Sequence, residues 1–336
     1  MYSLKKSYHV LRPVLSFIPV GSFMIGIFMS FFDPFSWILY RHSSVFIFLV
    51  LSILSLPVFL WSYFSIFLMG VSSSCLNSLV DAGDSDLKGF RKDYQNPIVF
   101  FGVSPLQMKV IIVLSATFSF VIGLYVSFVF AALILVGILV SISYSYYPRM
   151  KMYSPFDVVW NALGLFALPF ISGWIVYHSS SQVLFYSLYV YAFSFYFLAG
   201  EWFNYLLFLM LVVRVYWFPF RELLGGSLIG GAFYVITAVL DYDSDKEAYI
   251  KTIGVLLGKR YALLFSLLLY VSGVLILFDH LVFDIGTTLL TSSISIFMIY
   301  LVIKPEKTVL WNFLRLALIT TLILIALEII LRVSIL

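Results

Sequence analysis

Eleven apolar runs, most of them near 20 residues, constrain this chain more than any other feature. They cover roughly 14–32, 45–72, 110–127, 129–146, 156–177, 183–199, 203–220, 223–240, 261–278, 285–303 and 310–331. A helix needs about 20 mostly apolar residues to cross a bilayer. The runs are continuous and lack the alternation of barrel strands, which excludes a β-barrel. Of the 336 residues, 62% are apolar and 11% are charged, against about 25% charged in ordinary soluble domains. So few charges cannot cover a soluble surface of this size. A soluble enzyme, a disordered chain, a coiled coil and a nucleic-acid binder are all excluded. The expectation is an all-α polytopic membrane protein, a single domain over 1–336, seated in the cell membrane.

The single cysteine, Cys75, matches no zinc or redox spacing and reads as a small apolar helix residue. The run after Lys5 and Lys6 is too long for a signal peptide and holds Pro19, so it reads as a first span. With the N-terminus cytoplasmic, fifteen of the twenty Lys and Arg fall on inner segments, against Arg41 and Arg221 outside. That excess sets the N-terminus inside. The segments 81–109, 147–155 and 241–260 then all face the cytoplasm.

Eight of the sixteen acidic residues occupy two short stretches on that face: Asp81, Asp84, Asp86 and Asp93, then Asp241, Asp243, Asp245 and Glu247. Asn77, Asp81 and Asp84 are spaced i, i+4, i+7, and on a continued second helix they share one face. Asp241 and Asp245 share a face likewise, with Asp243 turned elsewhere. All-oxygen ligand sets suit Mg²⁺, which is held by one or two carboxylates and completed by phosphate oxygens and water. Lys88, Arg91, Lys246 and Lys251 interleave with the carboxylates, as a metal-bridged diphosphate requires. Between the two clusters, the run SYSYYPRMK offers Tyr147, Arg149 and Lys151, a phenol and two cations for a leaving diphosphate. Alone it reads as an interfacial aromatic-basic anchor.

These residues resemble the UbiA superfamily of intramembrane prenyltransferases. The first family motif, Asn-Asp-x-x-Asp-x-x-x-Asp, is matched at Asn77 and Asp81. Ser78 replaces an Asp, Ser85 takes the last position, and Asp84 and Asp86 flank it. The second motif, Asp-x-x-x-Asp, is matched at Asp241 and Asp245, followed by Thr252 and by Leu257-Gly258. Tyr147 and Lys151 match the Tyr-x-x-x-Lys motif, and Arg12-Pro13 resembles the opening of the family's first helix. The stretch from Asp157 to Gly173 resembles the fifth helix of the carotenoid-elongase branch.

The resemblance implies nine family-type helices around a central cavity, and residues 183–220 then read as an inserted helical pair. It implies transfer of a prenyl group from a prenyl diphosphate donor to a lipophilic acceptor in ether-lipid, quinone-precursor or carotenoid biosynthesis. Mg²⁺ is the implied cofactor, with Asn77, Asp81, Asp84, Asp241 and Asp245 as its ligands. Arg12, Lys88, Arg91, Arg149 and Lys246 are the implied diphosphate contacts, and Tyr147 and Lys151 the catalytic pair. Two other readings stand beside it. A non-catalytic isoprenoid-binding relative would fit the losses at Ser78 and Ser85. A secondary transporter would need functional charges near the midplane, where Arg214 is the only strong one.

Overall fold

The computed structural model describes residues 13–31, 57–83, 96–179, 219–277, 285–306, 308–314 and 316. Arg12, Asp84, Lys88, Arg91 and the proposed inserted pair, apart from its last two residues, lie outside the described residues. The described residues form a bundle of helices without a β-strand.

The first span is α1 (Pro13–Phe31), with Pro19 inside it. The second, α2 (Pro57–Asp81), runs nine residues beyond the apolar segment at 45–72, through the more polar stretch that carries Asn77 and Asp81. It stops at Asp81 in a turn at Ala82 and Gly83. The helix expected to continue past Asp81 instead breaks at Ala82 and Gly83; Asn77 and Asp81 share its last turn, and Asp84 lies outside the described residues. A short α3 (Pro97–Phe101) is capped by the Asn96 side chain.

Helix α4 (Pro105–Val126) begins five residues before the predicted run. Its start is set by chemistry that hydropathy does not weigh: Ser104 and Gln107 bond each other's backbone N–H groups at 3.1 Å, and Pro105 occupies the first turn. Helix α5 (Phe128–Ser145) follows, its Ser127 cap accepting from the Phe130 N–H at 3.1 Å. The fifth span is α6 (Phe156–Ala162), a π-helical turn (Leu163–Ala167) and α7 (Leu168–Ser179). Then come α8 (Phe220–Leu240), α9 (Tyr242–Glu247), α10 (Ile253–Leu257), α11 (Lys259–Leu277) and α12 (Ile285–Ile303). Six spans among the described residues are long and apolar enough to cross a membrane.

Lipid supplies no hydrophobic drive between helices, so close approach and polar contacts hold them together. At the α1–α7 crossing the backbones nearly touch. A Cβ on Gly26 would fall 2.0 Å from the Phe170 carbonyl oxygen, and one on Gly173 would fall 2.1 Å from that of Phe23. Ser65 and Ser119 clamp α2 to α4 reciprocally, each hydroxyl donating to the other's carbonyl at 2.7 and 2.8 Å. Cys75 is buried with Val71, Val103 and Met108, the packing role read from its sequence context. An apolar core joins α8, α11 and α12 around Val235, Ile236, Leu263 and Met298.

Candidate active site

The C-terminal ends of α2, α5 and α8 meet the N-terminal end of α6, and each junction is a polar contact. Ser145, ending α5, donates to Asn77 Oδ1 on α2 at 3.4 Å. Trp160 on α6 donates its indole N–H to Ser143 on α5 at 2.7 Å. Tyr234 on α8 donates to Asp157 on α6 at 3.2 Å. Helix C-termini carry partial negative charge, so three of them with their carboxylates make this end of the bundle a place for cations.

One wall centres on Asp81, which is only 4% exposed. The chain leaves α5 through Tyr146, turns at Arg149 in a left-handed conformation (φ 65°) and forms a 3₁₀ turn over Met150–Met152. That turn drives Lys151 inward. Its ammonium donates to Asp81 Oδ1 and, at 3.2 Å, to Asn77 Oδ1. The Arg149 guanidinium lies 3.8 Å from the same Asp81 oxygen. Asn77, Asp81, Arg149 and Lys151 are thus brought together. Ser78, where the family motif has an acid, is buried and donates back to the Ser74 carbonyl at 2.9 Å. It contributes nothing to this wall.

The second wall begins where α8 ends. Asp241 caps the junction between α8 and α9, and the Asp245 N–H donates to the Asp241 carbonyl at 2.8 Å, so one helical turn separates the two acids. Asp245 is buried and accepts from the Thr252 hydroxyl at 3.2 Å. Asp243 points away, paired with Lys259 at 3.0 Å in the open. Lys246 is exposed, with its ammonium 5.6 Å from the Tyr242 ring centre. Tyr147 is 79% exposed and stands at the rim rather than against the carboxylates.

A tyrosine pair lies between the walls. The Tyr144 hydroxyl on α5 donates to that of Tyr234 on α8 at 3.4 Å, and Tyr234 donates in turn to Asp157 at 3.2 Å. Neither tyrosine was singled out by motif, since an isolated Tyr in an aromatic-rich span carries no signal. Asp157 enters the sequence reading only as the first residue of the stretch that resembles a fifth helix.

Among the described residues no three acidic, histidine or cysteine side chains converge as a ready-made metal cage. The donors present are nonetheless those of a hard cation. They are all oxygens, split between two walls, with buried Asp81 and Asp245 each fixed by a donor. Such a set fits a Mg²⁺ ion that takes one or two carboxylates and completes its shell with phosphate and water.

Helical spans with acids and bases gathered at one end are the arrangement of a membrane-embedded enzyme. The chain matches the UbiA prenyltransferase family over residues 44–322 and belongs to that family; it is a membrane prenyltransferase. A UbiA homologue from Archaeoglobus fulgidus, solved with DMAPP and Mg²⁺, superimposes with a TM-score of 0.60 at 18% identity, over 98% of this chain and 97% of that one. An apo UbiA homologue from Aeropyrum pernix K1 gives 0.64 at 14%, over 94% and 97%. A digeranylgeranylglyceryl phosphate synthase gives 0.56 at 14%, over 99% and 100%. These likenesses show a common fold. No curated protein sequence matches the chain.

Proposed function

We propose that this chain transfers a prenyl group from a prenyl diphosphate to a lipophilic acceptor in the bilayer, with Mg²⁺ as cofactor. The observation that carries this reading is the meeting of Asn77, Asp81, Arg149 and Lys151 at one end of the bundle. The Archaeoglobus fulgidus relative was solved with GPP and Mg²⁺, which supports the same donor class here.

Asn77 and Asp81 on one wall, with Asp241 and Asp245 on the other, would hold the metal; Asp84 joins the first set in this reading. Bound there, Mg²⁺ supplies a Lewis acid that neutralises charge on the departing diphosphate. Lys151 and Arg149 bind diphosphate oxygens directly. Lys151 is already buried and oriented, so little rotamer freedom is lost on binding. Arg12, Lys88, Arg91 and Lys246 complete the anion's surroundings, and Tyr147 at the rim donates to the leaving group. The C–O bond of the donor breaks as the bond to the acceptor forms, and the acceptor's proton leaves with diphosphate or to a carboxylate of the site. Phe and Tyr side chains of the spans would offer π faces to the allylic cation character that develops as that bond breaks.

The N-terminus and the three loops of the site face the cytoplasm in this reading, where diphosphates are made. The acceptor belongs to the ether-lipid, quinone-precursor or carotenoid classes. The digeranylgeranylglyceryl phosphate synthase likeness favours the first.

The test is a vesicle assay with radiolabelled geranylgeranyl diphosphate and a panel of lipid acceptors, with Mg²⁺ or with chelator. Product that requires Mg²⁺ and one acceptor supports the reading. Mg²⁺-dependent donor binding without product from any acceptor favours a non-catalytic isoprenoid-binding relative, to which the Ser78 substitution points. Neither binding nor product overturns both.

A further inference from the structure

Asp157 opens α6 and is completely buried, yet it belongs to neither acidic motif. Its Oδ2 accepts from the Ile253 backbone N–H at 2.7 Å and from the Tyr234 hydroxyl at 3.2 Å. Ile253 is the first residue of α10, and the residue before it, Thr252, holds Asp245. A second link lies alongside. Tyr153 and Lys251 pair as a parallel β-bridge, and the Ser154 N–H donates to the Lys251 carbonyl at 3.3 Å. Lys151, on the Asp81 wall, is two residues from that bridge.

The loop carrying Lys151 and the loop carrying Thr252 are therefore stitched together, with Asp157 as the buried stitch. A carboxylate in an apolar interior is costly unless its bonds are made. Asp157 Oδ1 is buried without a hydrogen-bond partner, so the two bonds at Oδ2 are what hold this side chain, and they tie it to the Ile253 backbone and the Tyr234 hydroxyl. We propose that Asp157 is a positioning residue: it locks the segment 251–257 against the 147–155 loop, and through Thr252 it sets where Asp245 stands relative to the Lys151–Asp81 wall. The inference deepens the proposed prenyl transfer, and its consequence for metal binding rests on that reading. The lock itself does not.

Two readouts on the full-length protein in lipid nanodiscs separate them. The first is hydrogen exchange of the peptides covering 245–257, measured without ligand. Asp157→Ala is expected to speed exchange there by at least about tenfold, the order expected when both hydrogen bonds at Oδ2 are lost. Asp157→Asn keeps an acceptor oxygen and is expected to stay within about threefold of the wild type. Tyr234→Phe removes one of the two donors and should fall between them. The second readout is the Mg²⁺ concentration that half-saturates geranylgeranyl diphosphate binding, expected to rise in the same order.

Unchanged exchange in Asp157→Ala, or Asp157→Asn as fast as Asp157→Ala, overturns the lock. If Asp157→Ala does not fold, Asp157→Asn and Tyr234→Phe decide: the expected order supports the lock, and equal rates in Tyr234→Phe and the wild type overturn it. Altered exchange together with wild-type Mg²⁺ half-saturation overturns the positioning of Asp245. A wild-type protein that shows no Mg²⁺-dependent diphosphate binding contradicts the proposed reaction instead, while exchange still decides the lock.

Discussion

Lys151 reaches Asp81 from a 3₁₀ turn 70 residues further along the chain, and both side chains are buried where they meet. Removing one partner of a buried pair leaves an uncompensated charge, a loss of about 3 kcal/mol or more. Lys151→Met is therefore expected to lower thermal stability in detergent markedly and to abolish transfer. Arg149, 3.8 Å from the same oxygen, softens the first effect and not the second. The double variant Asp81→Asn/Lys151→Met should regain stability without regaining activity. Recovery of activity in the double variant would contradict the proposed role of the pair.

Two of the three acids of α9 separate cleanly. Asp245 is buried beside Thr252, whereas Asp243 stands exposed with Lys259. Asp245→Asn should cost transfer activity at least about 100-fold, since a ligand to the leaving group's metal acts in the transition state. Asp243→Asn breaks an exposed pair of about 1 kcal/mol or less and should leave turnover within a few-fold. Steady-state kinetics with Mg²⁺ in excess distinguishes them.

Thr252 offers a subtler variant. Its hydroxyl donates to Asp245 at 3.2 Å, so Thr252→Val removes a bond worth about 1 kcal/mol without changing shape. The half-saturating Mg²⁺ concentration is expected to rise several-fold, and Thr252→Ser to restore it. Equal Mg²⁺ dependence in all three proteins would show that the bond does not orient the carboxylate.

The α1–α7 crossing is predicted to be the least tolerant packing site described. Gly173→Val would force a side chain onto the Phe23 carbonyl, where a Cβ alone stands 2.1 Å away. Both partners are backbone, and overpacking that cannot relax costs at least about 1–3 kcal/mol. Thermal unfolding should register the loss, while the equivalent change at Gly21, which has open space around its Cβ position, should be mild.

The spans were legible because a bilayer forces every backbone group into internal bonds, so hydropathy and helix coincide. Their ends were not, where side-chain chemistry decides. Ser104 and Gln107 start α4 early, and α2 continues past its apolar run to Asp81. Helical spacing placed Asn77 and Asp81 on one face, and the motif resemblance brought Lys151 into consideration. The structure adds what spacing cannot contain: Lys151 turned inward while Tyr147, four residues earlier, turned out. The Tyr144–Tyr234 pair and the Asp157–Ile253 bond join segments about 90 or more residues apart, and no local pattern records such contacts.

The most direct test of the account is product formation from radiolabelled geranylgeranyl diphosphate in acceptor-containing vesicles, compared for the wild type, Asp81→Asn and Asp245→Asn at saturating Mg²⁺. The account predicts labelled lipid from the wild type and almost none from either variant, measured at a temperature where thermal unfolding shows both folded, with Asp81→Asn melting lower because Lys151 loses its buried partner. Product from either variant at the wild-type rate would contradict a site built from two acidic walls.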